Sequence, residues 1–373
     1  MARGAERGSR RTGGQPRGRK KEKKGGFGRL VRGCLVLLAL LAVPAGMAAW
    51  AWWKLHQPFQ GYTGSEKIVA VDPGMAASQA LVRLAAEGVI PDARLARYDL
   101  IYLMGNRPIQ AGEYRFSGPM TTEQVLGKLV RGDVVTHLVT LVEGLTMEEA
   151  VDTLAAAQLG PRETFLDLMR SPALIADLDP EAHDLEGYLF PETYRFALHT
   201  DEKTIVATLV KTFRTRFSRN VEPLLARRPG RTVRQVVTLA SIVEKEAKMP
   251  GERPLIAGVY SNRLTRRIGL AADPTVIYAL KKRGTWDGNI RKADLQIDSP
   301  YNTYRYAGLP PGPICSPGLA SLTAAADPAD VPYLYFVSRN DGTHVFASTL
   351  EEHNRNVDLW QRRYWRERRA QGR

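Results

Sequence analysis

Hydrophobic and polar positions along this chain change regime twice. From Gly33 to Trp53 no residue is charged. Twenty-one residues in a helix reach roughly 32 Å, about the thickness of a hydrocarbon core. Pro44 would kink such a helix yet is tolerated in lipid. Trp50, Trp52 and Trp53 gather at the distal end, where an aromatic belt belongs. A cleaved signal peptide and a buried core helix are the competing readings. A leading segment of 32 residues is long for a signal peptide, although the small residues around Ala45–Ala49 leave that reading open. The expectation is one transmembrane helix over 33–53, followed by a polar linker at 54–65.

Beyond the linker the periods are those of a soluble α+β protein. Ile68–Val71 reads as a strand and Asp72-Pro73-Gly74 as a turn, before a helix with Leu81, Leu84 and Ala85 on one face. Arg94–Leu103 is a second helical stretch and Ala111–Phe116 a short strand. Thr121 and Gln124 then form a capping box for a helix with Leu126, Leu129 and Val130 as its stripe. This small module covers 66–135. In the larger region, 136–358, His137–Val142 is strand-like. Thr146 and Glu149 cap a helix carrying Met147, Ala150, Val151 and Leu154. Ile205, Leu209, Phe213 and Phe217 recur every fourth residue, and Thr232 with Gln235 opens another helix. Asp298–Gly318, rich in Tyr, Pro and Gly, predicts a long ordered loop. Tyr333–Ser338 and Thr343–Ala347 predict a hairpin through Arg339–Gly342. The fold class predicted is α+β behind an N-terminal transmembrane helix, with no internal repeat.

Charge sharpens this picture. The net +14 suggests nucleic acid until it is divided along the chain. Residues 1–32 hold twelve Lys/Arg against Glu6 and Glu22, and the tail at 359–373 holds six Arg against Glu367. The body between them is almost neutral, so no basic groove for nucleic acid is indicated. The prefix is read as a solvated cytoplasmic tail held near anionic lipid, with RNA binding as its alternative. By the positive-inside rule the N-terminus is cytoplasmic and everything after Lys54 lies outside. Two cysteines, Cys34 and Cys315, exclude a disulfide framework. Six histidines without H-E-x-x-H spacing predict no metal site, and no cofactor motif occurs: no Walker loop, no G-x-G-x-x-G, no G-x-S-x-G.

Carboxylates remain as the candidate chemistry. Glu186 precedes Gly187, which permits an unusual turn, and is flanked by Leu185, Tyr188 and Phe190. Apolar walls would desolvate the acid and raise its pKa, as a general acid at neutral pH requires. An exposed Glu on an ordinary turn is the other reading. Glu244 and Glu246 stand two apart on a helix, about 200° around its axis, so at most one serves a given cleft. Helix-surface ion pairing is their alternative role. Asp273, before Pro274, is a helix cap or a polar contact. Tyr301-Asn302-Thr303-Tyr304 and Gly308–Pro313 offer aromatic faces, amides and hydroxyls on stiff backbone, suited to a sugar chain or to a loop packed by its own tyrosines.

The motifs Glu186–Thr193 (EGYLFPET), Ala240–Glu246 (ASIVEKE), Asn262-Arg263-Leu264, Asp273–Tyr278 (DPTVIY), Ser299–Tyr304 (SPYNTY), Gly308–Ile314 (GLPPGPI) and Tyr333–Val337 (YLYFV) occur in order. Together they resemble the YceG-like family of murein transglycosylases, from about Ile68 to His353. The resemblance implies a LysM-like module over 66–135 and a catalytic domain over 136–358, both facing peptidoglycan from the inner membrane, with synthases as partners. It implies Glu186 as the catalytic residue. Tyr188, Glu244, Asn262, Asp273, Tyr301, Asn302, Thr303 and Tyr304 are its substrate-binding candidates. Relatives often carry Trp where this chain has Tyr188, and the basic prefix and Arg-rich tail fall outside the family pattern. The implied reaction is lytic cleavage of the MurNAc–GlcNAc bond to 1,6-anhydroMurNAc ends, in which one acid/base suffices. A hydrolase would need a second carboxylate, from Asp273, Glu244 or Glu246. A non-catalytic wall-binding scaffold is the third reading.

Overall fold

A computed structural model describes residues 26–197, 200–228, 230–364, 366 and 368. The basic prefix up to residue 25, His199 and most of the Arg-rich tail after Tyr364 lie outside the described residues. The apolar run forms a single helix, α1 (Gly26–His56), longer at both ends than the charge-free stretch. Its section Val31–Lys54 has 24 residues, none of them buried, and it extends about 36 Å. It is long and apolar enough to cross a membrane.

The chain divides into two units. One gathers the residues up to Val69, Met75–Ile109 and Phe116–Arg131, while the other gathers Ala70–Gly74, Gln110–Arg115 and the chain from Gly132 onward. Strands β1 (Glu66–Val71) and β2 (Gly112–Ser117) pair as a two-stranded sheet. The first unit contains α2 (Ala77–Ala86), α3 (Ala93–Tyr98) and α4 (Thr122–Arg131). Helix α2 buries Ala80, Leu81 and Leu84 on its apolar stripe. The Asp92 carboxylate caps α3 by accepting from the N–H groups of Arg94 and Leu95. The single helix expected over Arg94–Leu103 changes pitch, since Asp99–Leu103 is a π-helical turn. That wider turn buries Leu100 and leaves Tyr102 and Leu103 exposed. The capping box of α4 is formed, with Gln124 N–H donating to Thr121 Oγ1 and Thr121 N–H to Gln124 Oε1.

The larger unit runs β3 (Thr136–Thr140), α5 (Met147–Ala156), α6 (Arg162–Met169), β4 (Thr193–Ala197), α7 (Glu202–Asn220), α8 (Glu222–Leu225), α9 (Val233–Glu246), α10 (Arg253–Thr265), α11 (Asp273–Arg283), α12 (Leu319–Ala326), β5 (Tyr335–Ser338), β6 (His344–Ala347) and α13 (Leu350–Val357). Strands β3 and β4 pair antiparallel, with Thr136 opposite Ala197 and Val139 opposite Tyr194. Helix α9 is buried continuously from Val236 to Val243 and is the spine of this unit, with α10 and α12 packed on it. Helix α7 inserts Ile205, Leu209, Phe213 and Phe217 into the same core, as their four-residue spacing requires. The stretch from Asp298 to Gly318 carries no helix or strand. The hairpin β5–β6 starts two residues later than its apolar run, because the carbonyl of Tyr333 accepts from the Asn262 amide instead.

Candidate active site

Glu186 sits in a turn between α6 and β4. The turn is closed by Leu185 N–H donating to Met169 O and Tyr188 N–H donating to Leu185 O. Gly187 has φ +84°, and a Cβ there would stand 2.4 Å from Pro313 Cβ. Only glycine lets the turn press against Pro313 in this conformation. The side chain of Glu186 therefore turns inward, toward the N-terminus of α5, and is only 5% exposed.

Both carboxyl oxygens meet a donor. Met147 N–H, the first of α5, donates to Oε1 at 2.9 Å, and the Tyr278 hydroxyl donates to Oε2 at 3.1 Å. Helix N-termini leave such N–H groups unpaired, so the carboxyl group takes up one of them. These bonds and the charge of Lys282 favour the anion. Burial, reinforced by the negative charge of Asp184, outweighs them and pushes the pKa up to about 8. The protonated form is therefore favoured at neutral pH.

A cleft of about 310 Å³ opens over this group, walled by Tyr188, Tyr301, Pro313, Arg234 and Lys282, with Asp184 beside the acid. Its walls are fixed. The Tyr188 hydroxyl donates to Asp179 Oδ2, and Arg234 clamps that same oxygen at 2.8 Å while donating to the carbonyl of Pro311. Tyr278 and Tyr301 meet with ring centres 4.9 Å apart, and Lys282 lies over both rings. Lys281 ties α11 to α5 by an ion pair with Glu149 at 2.6 Å, which fixes the distance from Tyr278 to Glu186.

Of the residues singled out in the sequence, the cleft gathers Glu186, Tyr188 and Tyr301. Glu244 turns away: Arg253 pairs with Oε1 at 3.0 Å and Gly318 N–H donates to Oε2. This ion pair is interior rather than on the helix surface, with the Glu244 side chain 6% exposed. Asn262 donates to the carbonyls of Val331 and Tyr333. Asn302 and Thr303 are buried, Asn302 on the carbonyls of Leu295 and Ile297, Thr303 on the Thr275 hydroxyl and Ala272 N–H. Asp273 stands in the first turn of α11, where Ala272 holds the cap position, and accepts from the Tyr304 hydroxyl. Asp273, Tyr304 and Glu246 border a different cavity. Sequence reasoning passed over Tyr278, Arg234, Lys282 and Asp184. The i, i+4 pair Tyr278–Lys282 was the available signal, since those residues share a helix face.

A buried acid beneath an aromatic- and proline-walled cleft, on an α+β scaffold, is an arrangement capable of acid–base chemistry on a polar ligand. The chain belongs to the YceG-like family, whose family model matches residues 69–359. It is 30% identical over 319 residues to the endolytic murein transglycosylase of Bacillus subtilis (strain 168), covering 81% of this chain and 87% of that protein. It is 32% identical over 283 residues to the endolytic murein transglycosylase of Streptococcus pneumoniae serotype 2 (strain D39), covering 67% of this chain and 50% of that longer protein. A 2.6 Å crystal structure of a yceG-like protein from Listeria monocytogenes matches with a TM-score of 0.54 and 32% identity, over 79% of this chain and 99% of that one.

Proposed function

We propose that this protein is a membrane-anchored endolytic transglycosylase of peptidoglycan, with Glu186 as its only acid/base. The observation that carries the reading is the buried carboxyl group of Glu186, held protonated at neutral pH at the cleft. Glu186 gives its proton to the oxygen linking MurNAc to GlcNAc as the bond to C1 breaks. The carboxylate left behind takes the proton of the MurNAc C6 hydroxyl as that oxygen closes on C1, giving a 1,6-anhydro end and restoring the acid. An intramolecular nucleophile in place is worth an effective molarity of about 10⁵–10⁸ M, far above water, so no second carboxylate is required. The likeness to the endolytic murein transglycosylases of Bacillus subtilis and Streptococcus pneumoniae supports this class of reaction. In this reading α1 is a single-pass anchor in the inner membrane with its N-terminus cytoplasmic. Residues 66–135 form a LysM-like module that holds glycan, and cutting beside the synthase limits strand length.

Mass spectrometry of glycan strands digested by the full chain tests the reaction. Anhydro ends are expected, and their absence from the Glu186→Gln protein. Reducing MurNAc ends would instead make the protein a hydrolase, with Asp184, the carboxylate that borders the same cleft, as the partner acid.

A further inference from the structure

A second cavity, of about 330 Å³, lies in the same unit between α9, α10, α11, β5 and α13. Two acids face it. Glu246 leaves the end of α9 and accepts a hydrogen bond from the Tyr260 hydroxyl at 3.1 Å. Asp273 opens α11 and accepts from the Tyr304 hydroxyl. Each acid is served by a neutral phenol, whereas the neighbouring Glu244 has an arginine. Arg263 also lines the cavity: its Nη1 donates to the carbonyl of Leu270 and its guanidinium lies 5.5 Å over the ring of Tyr335. Its Nε and the Nδ1 of His353, whose ring stacks on Tyr335, are buried without a hydrogen-bond partner. Ala271 in the wall holds φ +47°, a conformation an alanine adopts only under constraint.

The lining sets two carboxylates and one guanidinium around a single cavity. Two carboxylates among aromatic faces call for an ammonium group, which gains from both charge and the rings. The Arg263 guanidinium, which lines the same cavity, offers a positive charge to a carboxylate. A metal ion fits less well, because among the described residues no three acidic, histidine or cysteine side chains converge. We propose that this cavity binds a peptide end carrying an ammonium group beside a carboxylate, the chemistry of a free amino-acid head on the peptides attached to a glycan strand. The ammonium group sits between Glu246 and Asp273 and the carboxylate reaches Arg263. The proposal rests on peptidoglycan being the substrate, and assigns recognition of its peptide part to a site apart from Glu186.

A pH dependence accompanies it. Glu246 is pushed up to about 7, first by burial and then by the charge of Asp273, against the Tyr260 hydrogen bond. Arg263, Tyr304, Tyr335 and His353 complete its surroundings, and burial beside Arg263 holds His353 below its ordinary value. An ammonium group binds the ionised acid, so binding releases a proton and affinity rises about tenfold between pH 6 and pH 8.

The test is calorimetric titration of the full chain in detergent micelles with the tripeptide L-alanyl-γ-D-glutamyl-meso-diaminopimelate, and with the same peptide acetylated on its free amines. We expect saturable binding that Glu246→Gln and Asp273→Asn each weaken at least tenfold, and that acetylation abolishes. Both substitutions keep an acceptor for the tyrosine hydroxyls, and the pH and acetylation arms need no variant at all. No binding at millimolar peptide, or equal binding by wild type and both variants, overturns the proposal. The titration requires no bond cleavage, so it is read separately from the formation of anhydro ends on peptide-stripped glycan, which tests Glu186 alone.

Discussion

At the scale of single residues, the chemistry of Glu186 follows from an imbalance. Two donors and Lys282 favour its anion, yet burial wins and keeps the proton on. In the proposed reaction the acid form starts the cycle, so activity should fall as pH rises through about 8, read from a kcat/KM profile on isolated strands. Tyr278→Phe removes one of the donors that favour the anion. The alkaline limb of that profile should then move to higher pH while kcat drops, a combination that a general loosening of the cleft would not produce. Stability changes in the linked direction. The folded pKa stands above the ordinary value of 4.5, so this group's contribution is full below pH 4.5 and lost as pH rises through 8. Glu186→Gln cannot ionise and keeps the acceptor for Met147 N–H. Its unfolding midpoint should match wild type near pH 4 and exceed it at pH 8.5, by at most about 5 kcal/mol in free energy. Glu186 was legible in the sequence because Gly187 and its apolar neighbours adjoin it. Tyr278, 92 positions later, was not, because nothing local marks which face of a helix will meet a distant acid.

Among elements, α11 shows how one helix serves two cavities. Asp273 and Tyr278 are five residues apart, about 140° around the axis, so one faces Glu246 and the other Glu186. The same geometry separates Glu244 from Glu246 on α9, as their spacing in the sequence required. The capping boxes of α4, α5 and α9 were also readable, since their partners lie three residues apart. The pairing of β3 with β4 was not, because a five-residue strand whose partner lies more than fifty positions away leaves only a weak local pattern. Nor did sequence reveal that Asn302 and Thr303 work inward. Their role belongs to the connection between α11 and the irregular stretch that carries Tyr301. Asn302 donates to two carbonyls, and its Oδ1 accepts from Tyr304 N–H. Asn302→Ala strands those buried groups, so urea denaturation should register a loss of about 2–4 kcal/mol. Turnover should fall further than stability alone accounts for, because Tyr301 loses its anchor beside Tyr278.

For the whole molecule, charge distribution says more than charge. The near-neutral body carries the cleft, while the excess of cations is stored at the two ends of the chain. Twelve Lys/Arg precede the charge-free run that begins at Gly33, and after Lys54 the next Lys or Arg is Lys67. In the proposed anchored arrangement, that asymmetry across an exposed apolar helix of 24 residues favours the direction of insertion that keeps the cationic flank cytoplasmic. Fusing alkaline phosphatase after residue 65 should therefore give an active, exported reporter. The same fusion with the Lys and Arg of 17–32 changed to Gln should lose much of that activity, as insertion becomes mixed. An inactive reporter on the natural sequence would put the cleft on the wrong side of the membrane for a polymer assembled outside. It would remove the anchored-enzyme reading even if the acid at 186 behaves as described, because a site built to hold one proton does nothing for a substrate it never meets.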